Sequence, residues 1–382
     1  MGTQLLAIGL TGPALTELER QIIGDVTPYA IVLFGRNIES PRQLRELIAQ
    51  IKSIAKIPPI FMIDQEGGRV DRLRKLVPGL PSAQSFEEGP DAARFAQWSG
   101  RVMGMALRFL DIEVNLAPVC DVRGERHPEG LERRTFSGDA ETVAELAGAF
   151  MRGVHSTGTA TCLKHFPGIG LGSADSHYST TVIDSSEEEL LARDLVPFVR
   201  LMPEAGAVMI GHGTYPRIDP ETPATLSHRI TTDLLRGTLG FDGLAVSDDM
   251  EMHAVADLGA YEMIADRAIV AGNDVIEFCS HVERVLDLKR HLRQLADTNA
   301  EFRVSFDQAI ARGERYRAHI AKLRAAAPPP VARWNDVIDE AERFIDEMNR
   351  TRPPRPPVIP EDERRKGSRS PATGRTGREE WT

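Results

Sequence analysis

Four stretches of this chain set acids, imidazoles or guanidinium groups beside glycine in a way that packing alone does not require. The first is Ile63-Asp64-Gln65-Glu66-Gly67-Gly68-Arg69-Val70-Asp71-Arg72. A carboxylate ending an apolar run, two glycines that let the backbone turn closely, and then arginines suit hydrogen bonding to several sugar hydroxyls. The plainer reading is a turn held by an Asp–Arg pair. The second, Lys164-His165-Phe166-Pro167-Gly168-Ile169-Gly170, runs on through small residues to Asp175-Ser176-His177. Glycines at 168, 170 and 172 imply a flexible loop, and Asp175 is close enough to His177 to hydrogen-bond. A carboxylate on one imidazole nitrogen fixes the tautomer and raises basicity at the other, as a general acid/base requires.

The third stretch, Val246-Ser247-Asp248-Asp249-Met250-Glu251-Met252, brings adjacent carboxylates out of an apolar strand. Only one of them can point into a site. Opposite an acid/base, such a carboxylate is placed for covalent glycosyl transfer, while an N-cap aspartate for the next helix accounts for the other. The fourth, Arg133-Arg134-Thr135-Phe136-Ser137-Gly138-Asp139, offers a planar donor fork to a polar ligand.

Positioning these groups falls to about eight short apolar or β-branched runs: Leu5–Leu10, Ala30–Phe34, Ile60–Ile63, Ile112–Val119, Thr159–Leu163, Ala207–Ile210, Leu244–Val246 and Asp274–Phe278. Helical periodicity lies between them at Gln43–Ile54, Ala92–Leu110, Thr142–His155, Glu187–Leu201 and Tyr261–Ala271. Strand–helix alternation argues a parallel sheet, either closed or doubly wound. Asp64 and Glu66 end the third run, Asp121 the fourth, Lys164 and His165 the fifth, His212 the sixth, and Ser247, Asp248 and Asp249 the seventh. Polar groups at many strand ends favour a TIM-type (β/α)8 barrel; a doubly wound sheet gathers its site at one switch point. After the first run there are only Gly9 and Gly12 followed by Pro13, so a dinucleotide-binding turn is not indicated.

A formal net charge of −10 argues against general affinity for nucleic acid or anionic lipid. Cys120, Cys162 and Cys279 sit in apolar runs without metal-site spacing and read as buried hydrophobes. His165, His177, His212 and Asp248 could converge on an ion, but their spacing matches no ligand motif, and no metal or cofactor is expected. The start of the chain has no signal-peptide pattern and no apolar run nears 18 residues, so the expected location is the cytoplasm, away from membranes. The expected organisation is a barrel over 1–325, a linker with an amphipathic helix over 326–349, and a Pro/Arg-rich tail over 350–382 too poor in apolar residues to order itself. In that helix Val331, Trp334, Ile338, Ala341, Ile345 and Met348 share a stripe, with Val337 and Phe344 beside it.

Taken in order, the motifs resemble the β-N-acetylglucosaminidases of glycoside hydrolase family 3, known for trimming muropeptides in cell-wall recycling. They run from Leu33-Phe34-Gly35-Arg36-Asn37 through Asp64–Arg72, Leu116–Val122, Arg134-Thr135-Phe136, Lys164–Gly168, Asp175-Ser176-His177 and Gly240–Gly243 to Ser247–Met250, covering roughly residues 1–320. The resemblance implies that Asp64, Arg72, Arg134, Lys164 and His165 bind the N-acetylglucosamine unit of a glycoside or muropeptide. It implies that Asp248 attacks the anomeric carbon, and that His177, oriented by Asp175, protonates the leaving oxygen and later activates water. Ile169 stands where the family usually has a second loop histidine, and Ser179-Thr180-Thr181 where it has Leu-Pro. The competing expectations are a β-glucosidase or phosphorolytic relative of the same family and, in another class, a sugar-binding protein without catalysis.

Overall fold

A computed structural model describes residues 5–351 except 88, 90, 126, 127, 129 and 175–180. The barrel strands are β1 (Leu6–Ile8), β2 (Ala30–Leu33), β3 (Ile60–Ile63), β4 (Val114–Asn115), β5 in two pieces (Ala160–Thr161 and Leu163–Phe166), β6 (Ala207–Ile210), β7 (Leu244–Asp249) and β8 (Val275–Phe278). Every pairing among them is parallel, and β1 lies between β2 and β8. The ring closes through β5, whose first piece pairs with β4 and whose second pairs with β6. Two expected strands change shape accordingly. Ile112–Val119 contracts to β4, with Val119 bridging separately to Lys164. Thr159–Leu163 divides at Cys162 and continues to Phe166, so Lys164 and His165 stand within a strand instead of after it.

Alternation along each strand sorts side chains between two cores. Ala30, Val32, Ile60, Met62, Ala207, Met209, Leu244 and Val246 fill the barrel, while Ile31, Leu33, Phe61, Ile63, Val208 and Ile210 meet the surrounding helices.

Several helices begin where the sequence supplies a cap. Thr16 and Glu19 make a reciprocal capping box for α1 (Glu17–Val26). Ser40 caps α2 (Pro41–Ile54), with proline in the first turn, where its missing N–H costs nothing. They are followed by α3 (Ala92–Phe109) and by α4 (Ala140–His155), which Asp139 caps. The helix expected over Glu187–Leu201 breaks into α5 (Glu187–Ala192) and α6 (Val196–Ala205), because Pro197 cannot donate to a continuing turn. Then come α7 (Tyr261–Ala271), α8 (Val285–Thr298) and α9 (Ala300–Ala326).

α9 plugs the foot of the barrel with Tyr316 and Ile320. The Tyr316 hydroxyl donates to the Thr161 carbonyl at 3.0 Å and that of Tyr29 to the Gly313 carbonyl at 2.9 Å. α10 (Trp334–Thr351) packs on α3, with Phe344 edge-on to Phe95 and Trp98. Its buried face is Val337, Ala341 and Phe344, with Trp334, Ile345 and Met348 half-covered, so the face is rotated from the expected stripe. Buried Glu340 shares this face because Trp98 Nε1, Arg101 and Arg343 donate to its carboxylate. Most of the tail expected over 350–382 lies outside the described residues.

Candidate active site

The strand-end charges meet at the mouth of the barrel. Asp64 follows β3 directly, and Lys164 Nζ, from the inner face of β5, donates to its Oδ1 at 2.7 Å. Arg72 Nη2 stands 3.7 Å from Asp64 Oδ2. Gln65 ties this arginine's loop down, accepting from the amides of Arg72 and Leu73 and donating to Asp71 at 2.8 Å.

Glu66 is the hub of the charges, a role not assigned from sequence. Arg134 grips its two oxygens with Nε and Nη2, each at 2.8 Å, and Lys164 Nζ lies 2.6 Å from Oε1. Burial by itself would raise the Glu66 carboxyl, but these cations outweigh it and hold it far below the usual range. Burial likewise works to lower Lys164, yet Asp64 and Glu66 raise it, so it stays an ammonium. Arg134 therefore offers less of its donor fork to a ligand than expected.

His165 turns Nδ1 to Asp121 Oδ2 at 2.7 Å, and Asp121 also accepts from the Ile169 amide at 2.9 Å. With a carboxylate as partner, Nδ1 carries a proton and donates it to Asp121. Burial pushes the His212 imidazole down. As the neutral ring, His212 donates from Nε2 to the Asp249 carbonyl at 3.0 Å, with the Thr225 hydroxyl 2.6 Å from Nδ1. The sequence marks Asp121 and His212 as strand-end polar residues, and His212 also as one of four groups that could converge on an ion; their partners His165 and Asp249 come from other strands.

Among the described residues, the only hydrogen bond to the Asp248 carboxylate is from the next amide, that of Asp249, at 2.9 Å. Burial would raise this carboxyl, but the His212 and His165 rings, the Asp249 amide and the Lys164 ammonium hold it below the ordinary value. A carboxyl held below its ordinary value is ionised near pH 7, so Asp248 presents a carboxylate with most of its acceptor capacity open. Asp249 does not cap a helix; it accepts from the Glu251 amide in the turn, and the helix His253–Ala256 starts after Met252 without a side-chain cap. Burial, with Glu251 and Asp248 beside it, pushes Asp249 up to about 7.

A cavity of about 380 Å³ opens over Asp248, walled by Arg134, His165, Ile169, His212, Met252 and Thr181 among others. Asp175 and His177 lie outside the described residues. The segments flanking them pair antiparallel, Thr181 with Ala174 and Val182 with Ser173, and Thr181 itself reaches the cavity. The loop glycines before them serve close packing in place of the expected flexibility. A Cβ on Gly170 would lie 1.9 Å from the Val122 carbonyl oxygen, and Gly168, at φ +114°, presses on Asp194.

An ionised, under-partnered carboxylate among charged and imidazole groups at the C-terminal mouth of a parallel barrel is a candidate enzyme active site. The sequence profile described as "Glycosyl hydrolase family 3 N terminal domain" matches residues 2–313, and the chain belongs to glycoside hydrolase family 3. It is 39% identical over 280 residues to a beta-hexosaminidase of Pseudomonas aeruginosa, covering 73% of this chain and 82% of that protein. It is 33% identical over 340 residues to one of Haemophilus influenzae, covering 88% and 92%. Its structure superposes on a family 3 β-N-acetylglucosaminidase from Paenibacillus sp. str. FPU-7 with a TM-score of 0.80 at 29% identity, over 91% of this chain and 68% of that one. NagZ from Neisseria gonorrhoeae, solved with N-trifluoroacetyl-D-glucosamine, gives 0.71 at 28% identity over 86% and 99%.

Proposed function

We infer that this glycoside hydrolase is a retaining exo-β-N-acetylglucosaminidase that releases terminal N-acetylglucosamine from cell-wall muropeptides in the cytoplasm. The observation that carries the reading is Asp248, ionised, facing the cavity and bonded only to a neighbouring amide among the described residues. Its free oxygen attacks the anomeric carbon, forming a glycosyl ester as the leaving oxygen departs; water then cleaves that ester from the same face. Asp64 and Lys164 accept from and donate to sugar hydroxyls, with Arg72 beside Asp64 and His165 on the cavity wall. Arg134 acts mainly by fixing Glu66, and so Lys164. His177, oriented by Asp175, gives the proton to the leaving oxygen and takes one from water.

The relatives named beta-hexosaminidase, and the NagZ solved with an N-acylated glucosamine, support the sugar. The three free, buried cysteines fit a reducing compartment, and among the described residues no helix is long and apolar enough to cross a membrane. The test is proton NMR of the products from an N-acetylglucosaminyl muropeptide, with and without phosphate. β-N-Acetylglucosamine as the first product bears the reading out. The α-anomer first, a sugar phosphate, or binding without hydrolysis overturns it in favour of an inverting, phosphorolytic or binding protein.

A further inference from the structure

One buried acid at the mouth of the barrel is used by none of these steps. Glu277 lies in β8 between Val275 and Cys279, which face the barrel interior, while Ile276 and Phe278 face the helices. Alternation therefore turns the Glu277 side chain inward. It is 3% exposed, and its Oε1 is buried without a hydrogen-bond partner. The backbone around it is fixed, its amide donating to Ser247 Oγ at 3.0 Å and its carbonyl accepting from the Met250 amide at 2.9 Å.

The groups that face it come from every side of the site. Asp64 stands at the end of β3, Lys164 in β5, and Asp248 and Asp249 at the end of β7. The thiols of Cys162 and Cys279 complete its surroundings. The cations of this cluster are already engaged: Arg134 with Glu66, Lys164 with both Glu66 and Asp64, and Arg72 beside Asp64. A further buried carboxylate would be uncompensated, so the group is carried as the neutral acid, a donor as well as an acceptor. Burial and the neighbouring carboxylates act in the same direction, pushing it well above the usual range. A buried polar group left unpaired is costly, and a ligand that supplies its partner recovers that cost on binding.

We propose that Glu277 is a further binding residue of this sugar site, a carboxylic acid at its floor that donates a hydrogen bond to a hydroxyl of the bound sugar, directly or through one water. The proposal rests on the reading that Asp64, Lys164 and Asp248 surround that sugar. A comparable arrangement is known for carboxylic acids kept neutral in apolar sites so that they can donate.

The experiment compares the full chain with Glu277→Gln and Glu277→Leu. It reads kcat and KM on p-nitrophenyl N-acetylglucosaminide from pH 5 to 10, inhibition by free N-acetylglucosamine, and the thermal midpoint. Leucine removes the donor, so KM and the inhibition constant rise roughly tenfold while the midpoint holds or rises. Glutamine keeps a neutral donor, stays within about threefold of the parent, and extends activity to higher pH because the amide cannot ionise. The proposal is overturned if Glu277→Leu binds N-acetylglucosamine as the parent does. It is overturned equally if glutamine weakens binding as much as leucine, or leaves the alkaline limb where it was. Should the leucine variant not fold, the pH profile of Glu277→Gln decides. A parent enzyme that neither cleaves nor binds these sugars marks a failure of the functional reading instead, and is distinguished from variants that merely match an active parent.

Discussion

The foot and the mouth of the barrel both bury carboxylates, and they treat them differently. At the foot, Asp274 is saturated: Oδ2 accepts from Arg236 at 2.7 Å and from the Ala245 amide at 2.8 Å, and Oδ1 from Arg312 at 3.1 Å. Glu113 accepts from Lys52 and from the Phe61 amide, and Arg324 closes the group. At the mouth Glu66 and Asp121 are gripped in this way. Asp248 has one neighbouring amide, and Glu277 keeps an unpartnered oxygen. A buried charge must be compensated, so one whose partners are all protein groups ties strands together, whereas one left open waits for a ligand.

That contrast breaks first at Asp248. Asp248→Ala is expected to lower kcat on an N-acetylglucosaminide by on the order of 10³-fold or more with little change in thermal midpoint. Near-parental turnover would remove the nucleophile and, with it, the distinction between open and saturated acids. His177→Ala should lose on the order of 10²–10⁴-fold with poor leaving groups and much less with activated aryl glycosides in the glycosylation step, and Asp175→Ala should do the same more mildly. Equal slowing of good and poor leaving groups in pre-steady-state kinetics would deny the acid role.

The foot should respond the opposite way. Asp274→Ala strands Arg236 and Arg312 and is expected to cost about 3–5 kcal/mol of stability, while kcat per folded molecule is unchanged. Denaturant unfolding and active-site titration separate the two, and an unaltered unfolding midpoint would refute the saturation argument.

Asp249 sharpens the comparison through pH. Its pKa is pushed up to about 7 from an ordinary 3.8, so the folded protein keeps a proton that the unfolded chain releases between those values. The stability this contributes is fully present below about pH 4 and lost as pH rises through 7. Asp249→Asn should therefore raise the thermal midpoint relative to the parent more at pH 8 than at pH 5, and a pH-independent difference would contradict the assignment. Deleting Arg350–Thr382 is the smallest change, with activity and thermal midpoint almost unmoved. Extending the deletion through Val331–Asn349 uncovers the Phe344 contact with Phe95 and Trp98 and should lower the midpoint clearly.

Much of the site was legible because chemistry and strand ends coincide in the sequence. An apolar run that stops at Asp64 or Asp248 announces both the strand and the group it presents, since inward and outward positions alternate and the run ends where the barrel opens. The same periodicity marked most of the helices, while the ordered motifs carried the resemblance to the family. Partnership was not legible. Glu66 is two residues from Asp64 in sequence, but its role depends on Arg134 and Lys164 arriving from other segments of the fold.

Local composition also misled where close packing was at stake. The glycines at 168 and 170 suggest freedom when read alone, and only the approach of Asp194 and the Val122 carbonyl shows that they are there to make room. The buried face of α10 is rotated from the stripe that hydrophobicity predicts because it includes Glu340, whose burial is disfavoured until Trp98, Arg101 and Arg343 surround it. By itself the sequence determined the strand–helix alternation of the barrel, which follows from periodicity along one chain, and its ordered motifs carried the resemblance to the family and named the candidate reactive groups. The tertiary structure alone decided which acids are saturated and which stay open, because burial and charge compensation depend on groups that meet only when distant segments fold together.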